Sequence, residues 1–111
     1  SQNDTYVLEL TGITINKYIK YVNTDLFNNL KALYSALQNN NISSTQVSVD
    51  ISTDDVEVNF KSENKTLKIE SFENFSNYFQ MVLMIMQEEK EKSGVIIIDD
   101  TGGVYFRELS D

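Results

Sequence analysis

Three short apolar runs of period two follow one another between residues 47 and 69. Val47, Val49 and Ile51 alternate with Ser48 and Asp50. Val56, Val58 and Phe60 come next, after a turn at Asp54-Asp55. Thr66, Leu67 and Ile69 come last, after a turn at Ser62–Lys65. Side chains alternate between the faces of a strand, so each run has one apolar face and one wet face. Breaks this short join antiparallel neighbours, because a parallel pair needs a crossover of a dozen residues or more. The segment predicts a three-strand antiparallel meander with one face to bury.

Two segments of helical period flank the meander and supply the cover. Leu26, Leu30, Leu33 and Leu37 fall at i, i+4, i+7 and i+11, with Phe27 and Tyr34 widening the stripe. Thr24 or Asn23 suits the N-cap, Asp25 suits the first turn, and Asn39-Asn40-Asn41 closes the helix. Phe72, Phe75, Phe79, Val82 or Leu83, and Met86 keep the same period over about four turns. Ser71 serves as the expected cap, Glu88 and Lys92 form an i, i+4 pair, and Gly94 is the stop signal. At the front, Tyr6, Leu8 and Leu10 alternate as a strand ended by Gly12. Ile13–Val22 has helical spacing but is rich in β-formers, and the pattern leaves it open. At the back, Val95–Ile98 reads as a buried strand, Asp99–Gly103 as a turn, and Val104–Leu109 as a last strand. The expectation is one α+β domain over residues 1–111, with two main helices on a mostly antiparallel sheet. The expected order is β-α-β-β-β-α-β-β.

A chain of 111 residues is of ordinary domain size and buries a real core without a metal or a disulfide. It contains no Cys, His, Pro or Trp. That inventory excludes thiol nucleophiles, Ser–His–Asp triads and His-ligated metals. No cofactor is expected. Net charge is −8, from 17 acids against 9 bases, and Arg107 is the single Arg. Phosphate backbones are held by clustered Lys and Arg, so neither nucleic acid nor an anionic membrane surface is an expected partner. The longest apolar run, Met81–Met86, is far short of the ~20 residues of a spanning helix. The polar start lacks a signal pattern and a Met, and the chain reads as a piece of a longer protein.

Several motifs have a sharp reading and a plain one. Asp100-Thr101-Gly102 has the composition of the aspartic-protease triplet, whose chemistry needs two facing carboxylates sharing a proton. It comes too near the end of the chain for strands to follow and build a cleft, and an Asp–Gly hairpin turn is the favoured reading. Asp54-Asp55, Glu88-Glu89 and Asp99-Asp100 lack the ordered spacing of a calcium loop and read as surface acids. A carboxylate-based hydrolase would need such acids to converge in space. Asn3, Asn41, Asn64 and Asn74 begin Asn-x-Ser/Thr triplets, attributed to composition alone. Met81, Met84 and Met86 read as core, with Met84 least in phase. Val104, Tyr105, Phe106 and Arg107 form an aromatic, β-prone terminal strand. Such a strand either closes the sheet or offers its edge to a partner strand. A regulatory domain that dimerises through the same edge is the alternative.

The arrangement resembles the C-terminal β domain of the bacterial divisome proteins FtsQ and DivIB. Shared features are a helix of the Leu26–Leu37 type, a meander, and a second helix like Phe72–Met86. The shared ending is Gly94-Val95-Ile96-Ile97-Ile98-Asp99, followed by Gly103-Val104-Tyr105-Phe106. Leu8-Glu9-Leu10-Thr11-Gly12 is similar to the family's opening segment. The resemblance implies a non-catalytic, extracytoplasmic C-terminal domain of a single-pass membrane protein. It implies partners of the FtsB/DivIC and FtsL type, added as a strand near the C-terminal edge. The matching positions are Val104, Tyr105, Phe106 and Arg107, beside Ile96–Asp99.

Overall fold

The computed structural model describes residues 5–10, 13–18, 24–43, 45–51 and 55–109. In chain order the elements are β1 (Thr5–Leu10), β2 (Ile13–Tyr18), α1 (Thr24–Asn39), β3 (Val47–Asp50) and β4 (Val56–Phe60). They continue with β5 (Lys65–Ile69), α2 (Phe75–Glu88), β6 (Gly94–Ile98) and β7 (Val104–Glu108). The seven strands lie side by side in sequence order. Antiparallel pairing joins β1 to β2, β3 to β4, β4 to β5 and β6 to β7. Pairing is parallel only where a helix intervenes, at β2–β3 and β5–β6. A parallel neighbour has to start at the same end of the sheet, and each helix carries the chain back there. The expected α+β class and its mostly antiparallel sheet are present.

The order contains one strand more than the pattern predicts. Ile13–Tyr18 is β2, in full register with β1 from Leu10↔Ile13 to Thr5↔Tyr18. Pairing on both sides outweighs local spacing in a stretch rich in β-branched residues. Residues 19–23, with the Asn23 cap, and the Gly12 stop lie outside the described residues.

Both helices contribute to one core and touch each other. Leu30, Leu33, Tyr34 and Leu37 of α1 are buried. Phe27 departs from the expected stripe: it is exposed, with the Lys31 ammonium 5.3 Å from its ring centre. The helix ends as the Asn run suggests. Asn41 takes φ 59°, the Ile42 N–H bonds back to Leu37 O, and the Asn41 N–H to Gln38 O. This pair of bonds satisfies carbonyls that the last turn leaves open. Among the described residues, no helix is long and apolar enough to cross a membrane.

In α2, Phe75, Phe79, Val82 and Met86 are buried, and the rings of Phe72, Phe75 and Phe79 follow one another at 4.9 and 5.5 Å. Met81 and Met84 are corrected from core to surface, Met84 being 61% exposed. The end signals also move. The N-cap is Asn74, in the left-handed region, while Ser71 Oγ accepts from the Glu73 N–H before the helix begins. Glu89 is the C-cap, and Lys92 pairs with Glu89 at 3.1 Å instead of Glu88. Gly94 is no helix stop: it opens β6.

Candidate protein-binding edge

Hydrophobic alternation fixes which side chains of β7 point inward. Val104 and Phe106 pack against the core, whereas Tyr105 and Arg107 lie on the helix-free face. Tyr105 is 48% exposed. It stands directly opposite Ile97, which is only 3% exposed although it faces away from the helices. Val95, opposite Arg107, is the other apolar residue of that face on β3–β7, and the described positions of β3–β5 there are polar. Asn59 and Thr66 share a 2.8 Å hydrogen bond across β4 and β5, and Lys68 bridges Asp55 and Glu70.

The same period of two sorts the backbone groups. At one end of the β6–β7 ladder the Asp99 N–H donates to Gly103 O, and at the other the Leu109 N–H donates to Ser93 O. In an antiparallel ladder, pairs that exchange hydrogen bonds alternate with pairs that do not. Ile97–Tyr105 and Val95–Arg107 are therefore the bonded pairs. Val104, Phe106 and Glu108 direct their N–H and C=O groups outward, where no described strand pairs with them. The four residues expected to bind a partner are thus contiguous but play two parts. Val104 and Phe106 offer backbone; Tyr105 and Arg107 offer side chains. Glu108, which sequence reading did not single out, joins the first group.

Helix α2 runs beside this edge and contacts β7. Its Tyr78 hydroxyl approaches Gly102, where an added Cβ would lie 3.3 Å away. Met81 and Ile85 follow Tyr78 on that flank by helical spacing. Of the exposed apolar groups of α2, Met81 is therefore the one on the flank of the open strand, while Met84 points away from the core. On the opposite flank a half-open cleft of ≈ 310 Å³ is lined by Phe60, Leu83, Met86, Gln46, Glu63 and Lys90, among others.

Asp99 and Asp100, read from the sequence as surface acids, are joined by Glu70. Glu70, Asp99 and Asp100 bring their oxygens within 4.8 Å of one another, and they are the described residues spaced to share a cation. The Asp100 N–H points to Glu70 Oε1, and Asp99 Oδ1 accepts from the backbone and hydroxyl of Thr101. The Thr101 N–H, helped by its hydroxyl, holds the Asp99 carboxyl below the usual range. Hydrogen bonding to Asp99, together with the charges of Asp99 and Glu70, pushes Asp100 above it. Asp100, Thr101 and Gly102 are all exposed in the β6–β7 hairpin, with Gly102 at φ +96°. The triplet is a turn, as its plain reading holds. Asp54 lies outside the described residues.

No family model matches this chain, and neither a curated protein nor a solved structure matches it.

Proposed function

We propose that this is a non-catalytic scaffold domain that receives a partner strand alongside β7. The carrying observation is the open ladder of Val104, Phe106 and Glu108, with exposed Tyr105 on one face and Met81 on the α2 flank of the other. An unpaired edge supplies backbone hydrogen bonds to an added strand, and its alternate side chains select the partner. By its resemblance to FtsQ and DivIB, the domain belongs to the bacterial divisome. It recruits FtsB/DivIC-like and FtsL-like coiled-coil proteins on the outer side of the cytoplasmic membrane, where a single-pass parent protein places it.

The test is an NMR titration with the C-terminal segment of an FtsB/DivIC-type protein. Strand addition protects the amides of Val104, Phe106 and Glu108 from exchange. Tyr105 and Arg107 amides, already bonded to β6, gain little, although their side-chain signals shift. Unmoved signals along residues 104–108 at saturating peptide would sink the proposal.

A further inference from the structure

Lys65 is the buried charged side chain among the described residues, at 3% exposure. It opens β5 on the face that points at the helices, where Leu67 and Ile69 follow it into the core. An apolar residue would suit that position. A buried ammonium is costly unless its hydrogens are matched. Here Nζ donates to Lys92 O at 2.7 Å and to Glu63 O at 3.4 Å, and lies 5.7 Å from the Phe106 ring centre. These three contacts belong to separate pieces of chain: the β4–β5 turn, the link after α2, and β7.

The Phe106 ring is held from a second side. It lies over Gly94, where an added Cβ would stand 2.5 Å from Phe106 Cε1 and 2.7 Å from Cζ. Gly94 leaves a notch, the ring fills it, and the ammonium closes it. Phe106 is also the central residue of the outward-facing ladder. Its ring position therefore sets where the open N–H and C=O groups lie.

We infer that Lys65 is a positioning residue for the open edge, acting through the Phe106 ring. The inference rests on the reading of β7 as the binding edge only for its use; the tether itself is a property of the free chain. A terminal strand with half-exposed side chains opens locally more easily than central strands do. Lys65 suppresses that opening by linking β7 to the turn and the α2–β6 link.

The experiment is amide hydrogen exchange on the free 111-residue chain, without any partner, so its outcome is independent of whether β7 receives one. Lys65→Met keeps the length and removes charge and donors. It should speed exchange at Tyr105, Arg107 and Leu109 about tenfold relative to Val58 and Leu67. Lys65→Arg, which retains cation and donors, should recover most of that protection. Phe106→Leu should speed the same amides, and adding Lys65→Met to it should change little more. Uniform acceleration across the sheet, loss of folding in Lys65→Met alone, no acceleration, or an Arg variant no better than Met each overturn the inference.

Discussion

Gly94→Ala isolates the closeness of β6 and β7. Gly94 does not lie in the left-handed region, so its backbone accepts Ala without strain. In open space the change would stabilise by ~0.4–1 kcal/mol, through the lower entropy of the unfolded chain. The space is not open. The new methyl would meet the Arg107 carbonyl oxygen, and would stand 2.5 Å from Phe106 Cε1. Carbon atoms settle at about 3.5–4.0 Å, so roughly an ångström of clearance is missing. A ring can swing away, but the carbonyl is part of the ladder and yields only if β7 shifts. Overpacking of this kind costs about 1–3 kcal/mol. Offset by the entropic gain, the net loss is about 1–2 kcal/mol. With a urea m-value of about 1–3 kcal/mol/M, Cm falls by roughly 1 M. Urea unfolding followed by circular dichroism reads this directly. Phe106→Leu in the same background relieves the ring contact and leaves the carbonyl, so the double variant loses less than the two single losses added. A Gly94→Ala chain with Cm at or above the native value refutes the reasoning.

Two further outcomes follow from the turns. Asp100 has a raised folded-state pKa, so it contributes stability while protonated and loses it as pH rises through that value. Asp100→Asn should therefore raise Tm at neutral pH, with the advantage gone below the carboxylate range; a difference that does not change with pH counts against the Asp99 contact. Asn64 holds φ 55° between β4 and β5. Asn64→Ala should cost about 1 kcal/mol and Asn64→Gly close to none, since only the former opposes the left-handed backbone. Equal losses in urea unfolding would show that the Asn side chain, and not its backbone, matters there.

Much of the fold was legible because period and partner agree. Val47–Asp50, Val56–Phe60 and Lys65–Ile69 alternate strictly, and each strand finds its neighbour across a short turn. Phe75, Phe79 and Met86 keep helical phase and are buried as their spacing implies. The failures have one physical source: spacing reports faces but not what covers them. Phe27 borders its stripe and Met81 falls outside the Phe75–Met86 face, and both stay exposed. Ile13–Tyr18 became a strand through β1 and β3, which local pattern does not contain. Burial of Lys65 depends on the Lys92 carbonyl 27 residues away. Glu70 meets Asp99 and Asp100 because β5 and β6 end together, with Ile69 beside Ile98. The candidate edge was legible as a strand. Which of its residues turn backbone outward was not, since that follows from the Asp99–Gly103 and Leu109–Ser93 bonds. Asn41, Asn64 and Asn74, which the sequence attributes to composition alone, all hold left-handed backbone.

The phase of β7 also bears on how such a surface could change over generations. Residues that present backbone outward are those whose side chains face α2, so Val104 and Phe106 are constrained twice, by packing and by template. Tyr105 and Arg107 touch solvent and bond inward. For the proposed partner strand, substitutions there would alter which sequence docks without altering how many main-chain bonds it makes. On that proposal, grip and choice fall to alternate residues of one strand, and a lineage could exchange partners while keeping its hold.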